Sequence, residues 1–211
     1  MAANYPLSNF KGIDIVPSFP VDTHPSNTTF EAVDITEGLP YPGNRFDFIN
    51  VRFLFSLIPE KYIKFIFNEF KRVLKPGGWL EVMDYNSDLI NPGPAQRIFY
   101  NKYQALYRQR GINFFFISEL PRYLPNHDFI EIHNEGKTTF LGKRGGIIGE
   151  SCVENWASVY LTLKNSLAEF SCMSTEDYNQ LVEDFKKESS EYHTAFRMSR
   201  TFAQKPRNKI L

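Results

Sequence analysis

Phe70-Lys71-Arg72-Val73-Leu74-Lys75-Pro76-Gly77-Gly78-Trp79-Leu80-Glu81 joins two patterns of different period. Upstream, Ile63, Ile66, Phe67, Phe70, Val73 and Leu74 recur at the i, i+3, i+4, i+7 spacing and form one apolar stripe of a helix. Pro59 suits the first turn of that helix, where its missing amide costs nothing. Lys75-Pro76-Gly77-Gly78 ends it: the lysine lies near the last carbonyls, and proline and glycine do not continue a helix. Downstream, Trp79-Leu80-Glu81-Val82-Met83 reads as a strand. A helix handed to a strand through a glycine turn predicts an α/β fold.

Working outward, Phe10 to Ile15, Phe30 to Ile35 and Phe46 to Val51 read as three earlier strands. Pro17, Pro20 and Pro25 break the stretch between the first two, and Leu39-Pro40-Tyr41-Pro42-Gly43-Asn44 is turn chemistry. A helix is predicted from about Ala95 to Arg110, stopped by Gly111. A loop with Pro121 and Pro125 precedes a strand at Phe129 to Ile132, and Gly142, Gly145, Gly146 and Gly149 mark a turn region. Helical pattern resumes near Glu150 to Phe170. Ser174 then reads as an N-cap with Asp177 as its box partner, ahead of the stripe Tyr178, Leu181, Val182 and Phe185. Phe196 to Phe202 is the expected last strand. The chain reads as a single domain, 1–211: a core over 1–149, a helical insert over 150–193, and the last strand and basic tail over 194–211.

Lys+Arg and Asp+Glu are 24 each in 211 residues, so the formal charge is zero. A nonspecific nucleic-acid binder would be basic, so nucleic acid is not an expected partner, and the tail Lys205-Pro206-Arg207-Asn208-Lys209 reads as a solvated end. No run approaches the roughly 18–20 apolar residues of a membrane span. The start, Met1-Ala2-Ala3-Asn4-Tyr5-Pro6, does not read as a secretory signal, so Asn27-Thr28-Thr29 is a chance sequon. Cys152 and Cys172 are too few for a disulfide framework or a cysteine-rich zinc site. A soluble protein of the cytoplasm or nucleus is expected. The 20 phenylalanines are expected to fill the core.

Asp14 and Asp34 stand at matching places, near the carboxyl ends of the first two strands. In an open parallel sheet, ligands bind at those ends. A carboxylate there can accept both hydroxyls of a ribose, and its neighbour can accept from an exocyclic amine. Each Asp can equally cap a strand or start a turn, and that alternative stays open.

Gly12-Ile13-Asp14, Val33-Asp34, Leu39-Pro40-Tyr41-Pro42 before Phe46-Asp47-Phe48-Ile49, and the Phe70 to Glu81 string together resemble the ordered motifs of class I S-adenosylmethionine-dependent methyltransferases. The match spans roughly residues 10–86. The remainder, with Tyr192 and Phe202-Ala203-Gln204-Lys205-Pro206, is similar to fungal methyltransferase-like proteins more loosely. The resemblance implies a Rossmann-like sheet flanked by helices, with S-adenosylmethionine as cofactor. It implies that Asp14, with Ile15 beside it, binds the ribose hydroxyls, and that Asp34 with the backbone of Ile35 binds adenine, near Leu39. Asn50, Val51 and Arg52 would line the place where the sulfonium meets its acceptor, or Arg52 would instead pair with Glu81 or Asp84. Trp79 and Phe46 read as core.

The sequence departs from the family at one element. Of the 12 glycines, no two are spaced as Gly-x-Gly, the loop that the family places after its first strand. The chain therefore reads as truncated, lacking the first strand and helix, the strand being central in the family's order 3-2-1-4-5-7-6. Either the present strands close the gap or the sheet is weakened, and amide exchange in the first ~25 residues is expected to be fast. Two functions follow. One is a methyltransferase, or a piece of one, acting on a small-molecule or protein acceptor. The other is a non-catalytic binding or regulatory protein that has lost the cofactor. A third possibility is that upstream DNA encodes the loop in frame. His24, His127, His133 and His193 are scattered and suggest no base, no metal-ligand cluster is seen, and no Asn-Pro-Pro-Tyr signature supports an amine acceptor. Trp156, Tyr160, Leu163 and Leu167, at helical spacing, read either as packing or as a lid over substrate.

Overall fold

The computed structural model describes residues 1–20, 23–169 and 173–207. Its order is β1 (Phe10–Asp14), β2 (Thr28–Ala32), β3 (Phe46–Arg52), α1 (Glu60–Val73), β4 (Leu74–Ile90), α2 (Pro94–Gln109), α3 (Phe116–Tyr123), β5 (Ile130–Phe140), α4 (Gly146–Thr162), α5 (Lys164–Glu169), α6 (Thr175–Glu191) and β6 (Ala195–Gln204). Among the described residues, no helix is long and apolar enough to cross a membrane.

The α1–β4 joint is tighter than its sequence suggests. Leu74 caps α1 with extended backbone, so the helix passes directly into a strand that runs to Ile90. Gly77 takes a φ of +80°, which favours glycine, and a Cβ on Gly78 would lie 2.9 Å from the Lys75 carbonyl. The chain's far end locks this turn. The Gly77 amide donates to the Lys205 carbonyl and the Lys205 amide to that of Gly78, each at 2.9 Å. The Lys205 ammonium donates to the carbonyls of Lys71 (2.7 Å) and Leu74 (2.6 Å) and to Asn44 Oδ1 (2.9 Å). Lys205 is thus a plug for the end of α1 and not part of a solvated tail. Burial first, and the charge of Lys71 second, lower its pKa. Residues 208–211 of that tail lie outside the described residues.

The strands form two sheets. β1 and β2 pair in parallel, while β3-β4-β6-β5 makes a mixed sheet in which β6 runs antiparallel to both neighbours. These orders correspond to the 3-2 and 4-5-7-6 portions of the expected family order. No described strand bridges β1 and β3, so no new pairing closes the gap.

The α1 stripe seals one face of the larger sheet, with Ile66, Phe67, Val73 and Leu74 fully buried beside Leu80 and Ala203. A second core lies between α2, α4 and α6, where Phe99 stacks on Tyr160 at 3.9 Å. Tyr160 and Leu167 are buried there as packing residues. Ser174 caps α6 as expected: its Oγ accepts from the Asp177 amide at 3.0 Å.

Two local expectations need correction. The Pro121 segment is helix α3, because burying Phe116, Ile117 and Leu120 outweighs one missing amide. The glycine region holds a short 3-10 turn and already starts α4 at Gly146, while α4 and α5 are separate helices that meet at Leu163. Asn27 is structural: its amide nitrogen donates to the carbonyls of Ala2, Tyr5 and Ser8. The phenylalanines divide as well. Phe55, Phe67, Phe99 and Phe185 are core, but Phe53 and Phe65 are 48% and 41% exposed.

Candidate functional site

The parallel register of β1 and β2 places both acidic residues at one end of the small sheet. Asp14 pairs with Ala32, and the Val33 amide donates to the Asp14 carbonyl at 2.9 Å, so Asp34 emerges just beyond. Each carboxylate also makes a turn. Asp14 Oδ1 accepts from the Val16 amide at 2.9 Å. Asp34 Oδ1 accepts from the Thr36 amide at 2.8 Å and the Thr36 hydroxyl at 2.7 Å. The turn reading therefore holds, but it uses one oxygen of each. The Oδ2 of both has no hydrogen bond among the described residues. The Thr36 hydroxyl, and then its amide, hold the Asp34 carboxyl below the usual range, so it is ionised at neutral pH.

Asp34 lines an open cleft of about 500 Å³ together with Glu37, Leu39, Phe65 and Glu69. Asp14 stands outside that lining. Ile15 is exposed, and half-buried Ile35 packs against the core. The loop carrying Leu39 is held by α1. Glu69 Oε2 accepts from the Leu39 amide at 2.9 Å, while Arg72 donates to the carbonyls of Leu39 (2.8 Å) and Tyr41 (2.6 Å) and to Glu69 (2.7 Å). Sequence reasoning missed this clamp. Its available signal was a Glu and an Arg at i, i+3, with the Arg inside the joint string.

At the end of β3, the Asn50 amide nitrogen donates to Glu81 Oε1 at 2.8 Å, and Arg200 donates to Glu81 Oε2 at 2.9 Å. Arg200 thus takes the carboxylate considered for Arg52. Arg52 is exposed and has no ion pair among the described residues. Asp84 is fully buried, and burial pushes its pKa up to about 6 against the pull of the amides of Tyr85, Ser56, Phe55 and Leu54. By strict hydrogen-bond geometry its Oδ1 accepts from the Tyr85 amide at 2.9 Å, and its Oδ2 has no partner among the described residues. Beside it, the Tyr103 and Tyr107 hydroxyls share a 2.5 Å hydrogen bond. The 4-residue spacing of those tyrosines on α2 was the signal for this cluster.

The histidines stay apart: His127 stacks on Tyr123 and His133 on Phe202. Among the described residues, no group of three His, Cys, Asp or Glu could hold a metal. Cys152 is unpaired, with its thiol pKa raised by burial, and Cys172 lies outside the described residues. The arrangement offers free carboxylate oxygens at adjacent strand ends to ligand hydroxyls and amines, beside an apolar ledge at Leu39 and Phe65.

A family model described as "Methyltransferase domain" matches residues 2–78. The chain is 26% identical over 218 residues to the N-methyltransferase verN of Clonostachys rogersoniana, covering 95% of this chain and 72% of that protein. Among solved structures, a SAM-dependent methyltransferase from Methanosarcina mazei superposes with a TM-score of 0.53 at 14% identity, covering 94% of this chain and 82% of that one. The [4+2]-cyclase SpnF does so with a TM-score of 0.53 at 18% identity, over 95% and 68%. With the β3-β4-β6-β5 order, the strand-end acids and the helix–glycine–strand joint in place, residues 2–78 match a methyltransferase domain, and the chain shares the fold of those solved structures.

Proposed function

We propose that the chain binds S-adenosylmethionine across the carboxyl ends of β1, β2 and β3 and passes its methyl group to a small-molecule acceptor. The observation that carries this is the strand-end pair Asp14 and Asp34, each with one carboxylate oxygen left over from its turn. That set of acceptors fits the cofactor. Asp14 would accept the ribose hydroxyls, Asp34 and the Ile35 backbone would hold the adenine edge, and Leu39 and Phe65 would flank the ring. When bound, the cofactor supplies an electrophilic methyl carbon on sulfur. The chain's own residues position: the Glu69–Arg72 clamp sets the adenine loop, and Asn50, fixed by Glu81, and Arg52 sit where the acceptor would approach. Catalysis of this kind rests mainly on orientation and exclusion of water.

The printed name of verN, an N-methyltransferase, supports an amine as acceptor. The neutral charge supports a small molecule over nucleic acid. A cytoplasmic or nuclear location is the reading for a chain with so few cysteines, and imaging of a tagged chain would check it.

Titration calorimetry with S-adenosylhomocysteine tests the reading. Micromolar binding abolished by Asp14→Ala is expected, and silence up to millimolar ligand would overturn it. The separation of β1–β2 from β3 favours a second reading, a non-catalytic module, because the proposed half-sites lie on different sheets. The SpnF likeness adds that this fold hosts more than one chemistry. Methyl transfer in a radiolabel assay would remove the second reading.

A further inference from the structure

A second, smaller cavity lies apart from the acidic cleft, between the end of β4, α2 and α4. Its free space is about 40 Å³, room for roughly three water-sized atoms. Its walls are aromatic. The Trp156 ring centroid lies 5.4 Å from that of Tyr85, 6.0 Å from Tyr103 and 5.8 Å from Tyr160. Two amide side chains complete the lining, Asn86 at 8% and Gln96 at 6% exposure. Among the described residues, Asn86 Oδ1 and Gln96 Oε1 have no hydrogen-bond partner, although the Gln96 amide nitrogen donates to the Tyr160 hydroxyl at 3.2 Å.

Two buried acceptors without donors are costly, and a fold carries such groups most readily where a ligand satisfies them. Among the described residues, the cavity has no lysine or arginine in its lining, and Asp88 is part of it. Acceptors, negative π faces and nearby acids select one kind of occupant: a compact group that donates hydrogen bonds and carries positive charge. The position fits an acceptor. Arg52 pairs with Met83, so Tyr85 and Asn86 lie two and three residues farther along β4, past the end of β3. Phe53, next to Arg52, has its ring centroid 6.5 Å from Tyr85, so aromatic contacts run from the end of β3 to Trp156.

We propose that this cavity binds the amine group of a small alkylamine, the methyl acceptor, with Asn86 and Gln96 taking its N–H hydrogens and Tyr85, Tyr103, Trp156 and Tyr160 covering its charge. The assignment of that amine as acceptor rests on the methyl-transfer reading; its binding does not. For transfer, the bound ammonium first gives one N–H proton to solvent water; the freed lone pair then bonds to the methyl carbon as the carbon–sulfur bond breaks, and that electron pair stays on the sulfur.

The test is a titration of the whole chain with dimethylammonium chloride, followed by Trp156 fluorescence in a Trp79→Phe background. Sodium chloride at matched ionic strength and 2-propanol serve as controls. A saturable change in the millimolar range is expected, as suits so few atoms, with 2-propanol at least ~5-fold weaker, since it lacks the charge that the ring faces attract. Gln96→Met should weaken the amine at least ~5-fold yet raise Tm, because it removes an unsatisfied acceptor. A merely structural glutamine would lower Tm and leave the amine untouched. Should Gln96→Met not fold, Asn86→Leu decides by the same two readings. No saturable change, equal binding of 2-propanol, or undiminished amine binding in the variants would overturn the proposal. Loss of amine binding with S-adenosylhomocysteine binding intact would end this proposal alone, whereas the reverse result would end the methyl-transfer reading and leave the amine site standing.

Discussion

The small sheet and the large one are held together by different means. In β3-β4-β6-β5, β4 has a hydrogen-bonded neighbour on each side, and its inward residues Leu80 and Val82 are buried under α1. In β1–β2, each strand has a single neighbour, and among the ten residues only Thr28 is buried. Side chains tie this pair to the rest. Glu31 accepts from Lys11 and, at 2.6 Å, from the Tyr41 hydroxyl, while Arg72 grips the carbonyls of Leu39 and Tyr41. The Lys11 and Tyr41 hydrogen bonds lower the Glu31 pKa, and burial with Glu31 raises that of Tyr41. The difference teaches that the strand-end acids sit on the weakly anchored sheet. The rest of the proposed site sits on the strongly anchored one. Ligand affinity should therefore depend on the side-chain ties between them.

The largest effect should be in the large sheet's core. Phe67→Ala empties a fully buried position and should cost about 3–5 kcal/mol in urea unfolding. Phe30→Ala, in half-buried β2, should cost about 1 kcal/mol. Equal costs would break the comparison. Asp84 comes next. Its folded pKa of about 6 lies above the ordinary 3.8, so the folded state holds the extra proton between those values. Stability should fall as pH rises through that window, and the penalty is complete above it, at about 3 kcal/mol. Asp84→Asn should thus match the parent at pH 4 and exceed it by about 1–3 kcal/mol at pH 7.5, read by thermal melts. An identical pH profile for both would remove the buried charge from the account.

How far the sequence carried follows the same division. The α1 stripe, the Gly77-Gly78 turn, the Ser174 cap and the strand-end positions of Asp14 and Asp34 all obey rules that act within a few residues, and each is where it was expected. What stayed illegible depends on partners far apart in the chain. Lys205 meets Lys71 across more than a hundred residues, Arg200 displaces Arg52 at Glu81, and α3 forms over Pro121 because distant apolar groups bury it. The Glu69–Arg72 clamp is intermediate: the pair was local, but its targets at Leu39 and Tyr41 were not.

Two smaller predictions sharpen the role of the ties. Arg72→Ala should weaken S-adenosylhomocysteine roughly 5–10-fold by loosening the Leu39 loop, with global stability changed by less than about 1 kcal/mol. Calorimetry and melts on the same sample separate the two. Tyr41→Phe removes only the bond to Glu31 and should cost about 0.5–1.5 kcal/mol, confined to β1–β2.

Amide hydrogen exchange compares the two sheets most directly. Amides of Lys11 to Asp14 and Thr29 to Ala32 should exchange at least ~100-fold faster than those of Leu80 to Met83 and Thr201 to Ala203, and S-adenosylhomocysteine should slow the first set alone. Equal protection of both sheets in the free protein would contradict the account.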